Sequence, residues 1–242
     1  MSRPESVAQH PKCETCETRL QGIFASLDQE ALARLDRTKV AHPYKRGQIL
    51  HYEGNAASSV SCLRTGRAKV YKSAPRDRQH ILYLAEPGDV IGLESVIVGK
   101  HHTSTAEMLE SGIICHLDRE ELLRILRSQP ETLRAIVKMF AAQLLRSEAE
   151  RAELASGSVR ERMALMLLSL AGRYGVRTDG GVRLSVALSR EEIAEMVGTT
   201  PETAIRHLSE FRSEGLLSTR GRMILIEDPV QLARIARLAE IF

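Results

Sequence analysis

The chain has no long apolar run among its 242 residues. No stretch approaches the roughly 18 apolar residues that a membrane-spanning helix needs, so we expect no association with a membrane. The N-terminal stretch MSRPESVAQHPKCETC lacks the apolar core of a secretory signal peptide, which favours a cytoplasmic location. With 43% hydrophobic and 27% charged residues, the composition is typical of a globular protein of one or two domains.

The chain has little net charge and few cysteines. The formal net charge is only +3, and residues 183–222 contain six Arg against six Glu, so the charge permits nucleic-acid binding without indicating it. A cytoplasmic location keeps thiols reduced, which argues against a disulfide framework. Reactive or metal-binding roles are therefore the ones to weigh for Cys13, Cys16, Cys62 and Cys115.

Short strand-like segments fill the first half of the chain. Between about residues 39 and 117, segments such as SVSCLRTGRAKVYKS and RQHILYLAEPGDVIG alternate with glycine-containing turns. This spacing predicts a barrel or a double-sheet jelly roll with a small interior cavity, an architecture suited to a sensor. After Asp118 the pattern becomes helical, and residues 131–155 run without Gly or Pro.

The long predicted helix has apolar side chains at near-heptad spacing. Such a seam usually pairs with a second helix, so we expect a dimer; alternatively, this face packs on the protein's own strand domain. Two polar positions interrupt the seam and would weaken pairing, as suits a switch, unless they lie at its solvated edge. The predicted dimer-interface residues, these two included, are Leu133, Val137, Phe140, Leu144, Ser147, Arg151 and Leu154.

The segment LSREEIAEMVGTTPETAIRHLSEFRSEGLL predicts two short helices. Ser189 with Glu192 three residues later forms a capping box, and Gly198 ends the helix that starts there. Thr200 as N-cap and Pro201 start the second helix. Two short helices across a tight turn form a helix-turn-helix, and the following LLSTRGRMILIED predicts the β-hairpin of a winged arrangement.

At 100° per residue, the second helix has one face to bury and one to expose. The buried face is predicted to carry Ala204, Leu208 and Phe211. On the exposed face an arginine can donate to guanine, a glutamate can accept from cytosine, and an isoleucine can contact a thymine methyl. The alternative is a mere surface ion pair between the glutamate and the arginine. The predicted DNA-binding residues, the last three as phosphate contacts, are Ser189, Thr200, Glu202, Ile205, Arg206, Ser209, Arg212, Arg220 and Arg222.

Over nearly its whole length the chain resembles the CRP/FNR superfamily of dimeric transcription regulators. The segment GTTPETAIRHLSEFRSEGLL is similar to the family's recognition segment, in which an E-x-x-[SG]-R core reads the operator. Glu202 and Arg206 match that core, whereas Ile205 stands where Ser or Gly is typical. The resemblance implies a homodimer that binds double-stranded DNA at a palindromic operator with TTGA-like half-sites, and we expect RNA polymerase as a further partner.

The resemblance also implies a domain order within an α+β fold. We expect a cysteine-bearing segment at 1–28, a jelly-roll sensor at 29–129, a dimerisation helix at 130–156 and a winged helix-turn-helix at 157–242. A reorientation about the Ser156-Gly157 hinge would then turn DNA binding on or off.

The sensor class follows from two local comparisons. The cyclic-AMP branch has an arginine that neutralises the cyclic phosphate; this chain has Thr103-Ser104-Thr105 there, so we do not expect the usual cyclic-nucleotide binding. The stretch GKHHTSTAEMLESGIICHL is similar to the FNR branch, whose cysteine at the position of Cys115 ligates a [4Fe-4S] cluster. That branch also has C-x2-C-x5-C, which Cys13 and Cys16 match, with Gly22 at the third position.

Three of the four cluster ligands are thus implied: Cys13, Cys16 and Cys115. The fourth would come from Cys62, from a non-thiol side chain or from an exogenous molecule, because such a cluster is ordinarily held by four thiolates. Cys62 lies in a strand segment away from the matching positions, and we expect it to act as a small buried hydrophobe.

Other chemistries stay open for the same residues. The thiols could form a dithiol switch, or a zinc site with His10 or His116. His101 and His102, expected to be solvated in a turn, could ligate haem. A cupin-like metalloenzyme would need a histidine and carboxylate cluster, and the strand histidines are scattered singly at His42, His51 and His80. We therefore expect a regulator that senses oxygen, nitric oxide or redox state, and not an enzyme.

Overall fold

A computed structural model describes residues 12–74 and 78–237 of the chain. The chain divides into two compact units, Met1–Asp77 with Leu82–Ala142, and Arg78–Ile81 with Gln143–Phe242. Helices and antiparallel sheets occur together, which confirms the predicted α+β class. Within the described residues, no helix is long and apolar enough to span a membrane.

The N-terminal part of the chain forms the predicted double-sheet domain. Two four-stranded antiparallel sheets have the orders β1-β8-β3-β6 and β2-β7-β4-β5. Cys13–Thr15 and Glu17–Gln21 form short 3-10 helices before the first α-helix. The elements are α1 (Gln29–Thr38), β1 (Val40–Tyr44), β2 (Ile49–His51), β3 (Ser59–Leu63), β4 (Arg67–Ala74), β5 (Arg78–Ala85), β6 (Val90–Ile91), α2 (Leu93–Val98), β7 (Thr105–Glu110), β8 (Gly112–Asp118) and α3 (Arg119–Ser128).

Alternation along β3 and β8 separates two cores. Leu63 and Ile114 point into the space between the sheets, where they join one buried apolar cluster. Val60 and Leu117 point to the opposite face and join a second cluster with the helical layer of α1 and α3. Because strand side chains alternate with period two, Cys62 and Cys115 share this second face. The outer face of this sheet is therefore where the cysteines lie.

Helix α4 (Pro130–Ser156) follows α3 and is the long helix that the sequence predicts. Its first turns bury Thr132 and Ile136, and Ile136 belongs to the same core cluster as α1 and α3. The predicted hinge reduces to Gly157 and Ser158, since α4 continues through residue 156 and Ser158 is the N-cap of the next helix.

The second unit contains the predicted winged helix-turn-helix. Its sheet has the order β11-β12-β10-β9, so a hairpin that we did not predict extends the wing. The first helix of this unit ends at Tyr174, and Gly175 begins the extra hairpin. The elements are α5 (Val159–Tyr174), β9 (Gly175–Thr178), β10 (Gly181–Leu184), α6 (Arg190–Val197), α7 (Pro201–Ser213), β11 (Leu217–Arg220), β12 (Met223–Ile226) and α8 (Pro229–Ile235).

Candidate functional sites

The helix-turn-helix begins and ends at the residues that the sequence predicts. Ser189 Oγ accepts a hydrogen bond from Glu192 N at 3.1 Å, and Glu192 Oε2 accepts one from Ser189 N at 2.6 Å. Gly198 ends α6 in the left-handed conformation with φ +71°, which favours glycine. Thr200 Oγ1 then accepts from Thr203 N at 3.3 Å and starts α7 with Pro201 in its first turn. Both caps use local hydrogen bonds, so the turn geometry follows from the sequence.

Helix α7 buries one face and exposes the other, as its spacing predicts. Ala204, Leu208 and Phe211 are buried. On the opposite face Ile205 is 48% exposed, an unusual position for a large apolar side chain. The exposed residues of this face, which we call the recognition stripe, are Glu202, Ile205, Arg206 and Ser209.

Helix α5 contacts α7 through Arg160. Arg160 on α5 donates to Glu214 at 2.6 Å and 2.8 Å, and its guanidinium carbon lies 4.9 Å from the centre of the Phe211 ring. The same guanidinium contacts Glu210 at 3.4 Å. These contacts fix the orientation of the helix while leaving its recognition stripe uncovered within the second unit.

The recognition stripe does not contain the surface ion pair that was the alternative. Arg206 Nε lies 3.9 Å from Glu210 Oε1, and no ion pair between Glu202 and Arg206 occurs among the described residues. Hydrogen bonds from the Glu202 backbone N–H and from Thr200 lower the pKa of the exposed Glu202 carboxyl. Ser209 Oγ donates to Ile205 O at 2.9 Å. The glutamate is thus held at the helix start, and the arginine keeps a loose partner.

Four arginines, one more than predicted, lie on α6, at the end of α7 and in the wing. Arg212, Arg220 and Arg222 are all exposed, as phosphate contacts must be. The unpredicted one is Arg190, whose Nη2 lies 3.4 Å from Gly221 O in the wing turn. Burial lowers the pKa of Arg190, and the nearby positive charge of Arg212 lowers it further. Only the folded chain brings α6, the end of α7 and the wing together, so no sequence spacing reveals this cation.

All four cysteines line one cavity in the first unit. Cys13 reaches it from the first 3-10 helix, Cys16 from the junction between the two 3-10 helices, Cys62 from β3 and Cys115 from β8. The three cysteines that the resemblance implies as ligands are therefore brought together, and Cys62 joins them.

Polar contacts hold the N-terminal cysteines against the domain. The Cys13 N–H donates to both carboxylate oxygens of Asp36, at 2.8 Å and 3.0 Å. Lys39 Nζ donates to Cys13 Sγ at 3.0 Å and also pairs with Asp36. Arg19 Nε donates to the Cys13 carbonyl at 3.1 Å. Cys16 Sγ lies 3.1 Å from the Thr18 hydroxyl. This segment is anchored by the backbone and by charged side chains, so its thiols have a defined position.

Cys62 and Cys115 are direct partners across antiparallel strands, in the register between β3 and β8. Directly opposite side chains on one sheet face have Cβ atoms about 5 Å apart. Strand pairing therefore brings Cys62, which we expected to act as a small buried hydrophobe, beside the implied ligand Cys115, although 52 residues lie between the two in the sequence.

Burial keeps these thiols protonated. It raises the pKa of Cys13 to about 11 and raises the pKa of Cys115 as well. Burial raises the pKa of Cys62 most strongly, and the nearby thiols of Cys115, Cys13 and Cys16 raise it further. A buried protonated thiol is a poor nucleophile, whereas a bound metal ion deprotonates its thiol ligands outright. The cavity therefore suits metal ligation better than thiol exchange.

The donor set fits a [4Fe-4S] cluster in number and kind, because four thiols surround one cavity. No three His, Cys, Asp or Glu side chains in the described part of the chain already stand in metal-binding arrangement. Cys13 and Cys16 instead turn their sulfurs to Lys39 and Thr18. Ligation would require these side chains to exchange one hydrogen bond each for a bond to iron.

His116 is not placed to ligate zinc together with Cys115. His116 points into the barrel, where Nε2 lies 2.8 Å from the Tyr44 hydroxyl and Nδ1 lies 3.2 Å from Ser61 Oγ. Both ring nitrogens are thus engaged on the sheet face opposite the Cys115 side chain. The other zinc candidate, His10, lies outside the described residues.

The two adjacent turn histidines differ. His101 is exposed as expected, but His102 is only 5% exposed and stacks on His51, with ring centroids 3.6 Å apart and planes 6° apart. His51 Nε2 and His102 Nδ1 are buried and have no hydrogen-bond partner. Burial and the nearby His102 and His116 lower the pKa of His51 to about 4. Burial also lowers the pKa of His102, so the stacked pair is neutral at pH 7.

Acidification should therefore destabilise the first unit. Between pH 6.5 and 4 the unfolded chain binds a proton at residue 51 that the folded chain does not. The free energy of unfolding therefore decreases as the pH is lowered through that window. For a folded pKa of about 4, the free energy of unfolding should drop by about 2 kcal/mol between pH 7 and pH 5. Urea unfolding at both pH values measures this. His51→Gln should reduce the drop and His101→Gln should not; equal drops in both variants would refute the assignment.

Helix α4 carries an exposed apolar face. Leu133, Val137 and Leu144 are 46%, 59% and 56% exposed, and Leu145, which we did not predict, is 68% exposed. Phe140 is partly buried against the core cluster and so lies at the edge of this face. Ser147 has intermediate burial, and the side chains of Arg151 and Leu154 lie outside the described ones.

These features can be compared with known proteins. Residues 161–235 match the model of the Crp-like helix-turn-helix domain, and residues 41–129 match that of the cyclic nucleotide-binding domain. The CRP-like cAMP-activated global transcriptional regulator of Mycobacterium tuberculosis is 30% identical over 216 residues, which cover 89% of this chain and 96% of that protein. The chain belongs to the CRP/FNR family of transcription regulators.

Two further proteins are similar to this chain over most of their length. The transcriptional activator protein Anr of Pseudomonas protegens is 26% identical, with 98% of each chain covered. The solved structure of FixK2 from Bradyrhizobium japonicum is 27% identical, with a TM-score of 0.71, and the match covers 82% of this chain and 97% of that one. A CRP/FNR protein is a DNA-binding regulator and not an enzyme, so the cupin-like alternative is excluded.

Proposed function

We propose that this CRP/FNR protein is a homodimeric, sequence-specific regulator whose first unit holds a [4Fe-4S] cluster and responds to oxygen, nitric oxide or redox state. One observation carries the proposal: four cysteines from three separate parts of the chain line one cavity. Four thiolates are the usual ligand set of such a cluster. The cluster would supply reactivity toward oxidants that no side chain of the cavity has.

Raised pKa values argue against a dithiol switch as the sensor. Reactive cysteines are usually exposed and have lowered pKa values. Here burial raises the pKa of Cys13, Cys62 and Cys115. A thiol switch would also leave two of the four cysteines without a role.

Cyclic AMP is the signal named for the M. tuberculosis relative. This chain lacks the arginine that would neutralise the cyclic phosphate. The triplet Thr103-Ser104-Thr105 supplies no cation for a cyclic phosphate. Gly92, at the start of α2, faces the stacked histidines, and a Cβ there would lie 2.8 Å from His102 Cε1. The uncharged imidazoles of His51 and His102 therefore lie beside the start of α2, where a bound cyclic phosphate would require a cation.

The signal can reach α4 through one shared core. Cys13 and Leu117 belong to the same buried cluster as Leu122, Ile125 and Ile136, so the cavity wall and the first turns of α4 pack in a single apolar unit. Close-packed interiors transmit small displacements instead of absorbing them. Cys13, whose sulfur accepts a hydrogen bond from Lys39, would be one of the cluster's ligands, and a shift of its segment against this core would alter the packing of α4.

The exposed face of α4 is the proposed dimer interface. Leu133, Val137 and Leu144 lie on one side of the helix at intervals of four and seven residues, as in a paired helix. Pairing there would present two recognition stripes to half-sites about one helical turn of DNA apart, roughly 34 Å. A change in α4 packing would then alter their separation, and so the affinity for a palindromic operator.

Anaerobic purification tests the proposed cofactor. We expect a straw-brown protein with about four irons and four sulfides per protomer. A colourless protein, even after anaerobic reconstitution with iron and sulfide, would overturn the proposal. A colourless protein that shifts on non-reducing gels would indicate a dithiol switch. A red preparation would also overturn the proposal and would indicate haem.

The Cys115→Ser variant should lose the cluster and the response to oxygen while its DNA-binding unit stays folded. Cys115 is an implied ligand on the strand that leads into α3, and serine is a weaker ligand for iron. Visible absorbance and iron content measure the first effect, and circular dichroism with binding to random-sequence DNA measures the second. An unchanged anaerobic absorption spectrum would remove Cys115 from the sensor.

A further inference from the structure

The third cysteine position of the C-x2-C-x5-C pattern cannot hold a side chain in this fold. Residue 22 is glycine, and a Cβ built there would lie 2.1 Å from the Gly88 carbonyl oxygen. Gly88 has φ +101°, and a Cβ on it would lie 2.9 Å from the Thr18 carbonyl. The N-terminal segment therefore packs backbone against backbone on the turn before β6. A cysteine at residue 22 would have to push this turn away.

Cys62 stands where the missing thiol is needed. It lines the same cavity as Gly88 and the other three cysteines. Its side chain is on the outer face of β3, directly across from Cys115, and this register is fixed by five paired residues on each strand. The close contact at Gly22 brings the N-terminal cysteines onto the same face of the domain.

We infer that Cys62 is the fourth ligand of the cluster, supplied by a strand in place of the third N-terminal cysteine. This inference rests on the proposed function and deepens it. Each of the four thiols would release its proton as its sulfur bonds to one iron, so the cluster is held by two thiolates from the N-terminal segment and two from paired strands. The glycine at residue 22 and the cysteine at residue 62 form one compensating pair.

The test compares three anaerobically reconstituted full-length proteins: the wild type, Cys62→Ala and Val60→Ala. Val60 is the matched control, because it is fully buried on the same face of β3 and its truncation perturbs packing without removing a thiol. Iron and sulfide content, visible absorbance and electron paramagnetic resonance are measured, with thermal unfolding as a check on folding. We expect four irons per protomer in the wild type and in Val60→Ala.

For Cys62→Ala we expect three irons or fewer, since a corner iron without its thiolate is readily lost. A three-iron cluster would give a paramagnetic signal in the oxidised state that the wild type lacks. If Cys62→Ala keeps four irons and the wild-type spectrum, Cys62 is not a ligand, while the proposed cluster stands. If Val60→Ala loses iron to the same extent, Cys62 acts through packing alone and the inference fails. A wild type without cluster overturns the proposed function itself, and this inference with it.

Discussion

Replacing Arg206 by alanine is expected to weaken binding to the operator by roughly 1–3 kcal/mol, about a 5- to 150-fold loss, and to relax the preference at one guanine. The guanidinium is exposed on the recognition stripe, and among the described residues its one ion-pair partner is Glu210 at 3.9 Å, so little must be broken to free it. A bidentate contact to guanine O6 and N7 uses the planar fork of arginine. Arg206→Lys should therefore restore little of the specificity.

The measurement needs an operator, which selection of duplexes from a randomised pool by the wild-type protein would provide. Affinity for that operator, for single-base variants of it and for random DNA is then compared at fixed salt. Arg212→Ala is the matched control: as a phosphate contact it should weaken all duplexes alike and reduce the salt slope by about one. If Arg206→Ala instead weakens operator and random DNA equally, Arg206 does not read a base.

The DNA-reading unit could be predicted because its signals are local. The capping box of Ser189 and Glu192, the left-handed Gly198 and the Thr200 cap each act within four residues. The buried and exposed faces of α7 follow from helical periodicity alone. Arg190 was missed because its contact with the wing turn joins residues 31 positions apart.

The cysteine cavity could be predicted only in part. The resemblance implies Cys13, Cys16 and Cys115, but nothing local distinguishes Cys62 from a buried hydrophobe. The role that we propose for it depends on the register of β3 on β8, which the hydrophobic pattern of each strand does not reveal. The absence of a cysteine at residue 22 is likewise explained only by the close approach of the Gly88 backbone to Gly22. Information of this kind lies in long-range packing and not in any single segment.

The same limit applies to the histidines. His102 was expected in a solvated turn, and the sequence around it is polar enough to justify that expectation. In the folded domain His102 stacks on His51 at the end of β2, and its ring lies against Gly92. A glycine at residue 92 leaves room for the imidazole ring, and no larger side chain would.

The Val137→Glu variant should convert the dimer to a monomer and reduce operator affinity by at least about 100-fold. The exposed apolar face of α4 has Val137 at its centre, 59% exposed in the single chain. A carboxylate there would be buried in the paired state without a partner, at a cost of several kcal/mol in each helix. Two linked DNA-binding units gain about 10²- to 10⁴-fold over one unit, and this gain is lost when the dimer separates.

Ala142→Glu is the matched control for this variant. Ala142 is also exposed on α4, but five residues at 100° each turn it about 140° away from Val137. Sedimentation should therefore show a dimer for Ala142→Glu and a monomer for Val137→Glu, while binding of each to random DNA stays comparable at low salt. A dimeric Val137→Glu with wild-type operator affinity would mean that α4 pairs through another face. The exposed apolar face of α4 would then contact some other surface.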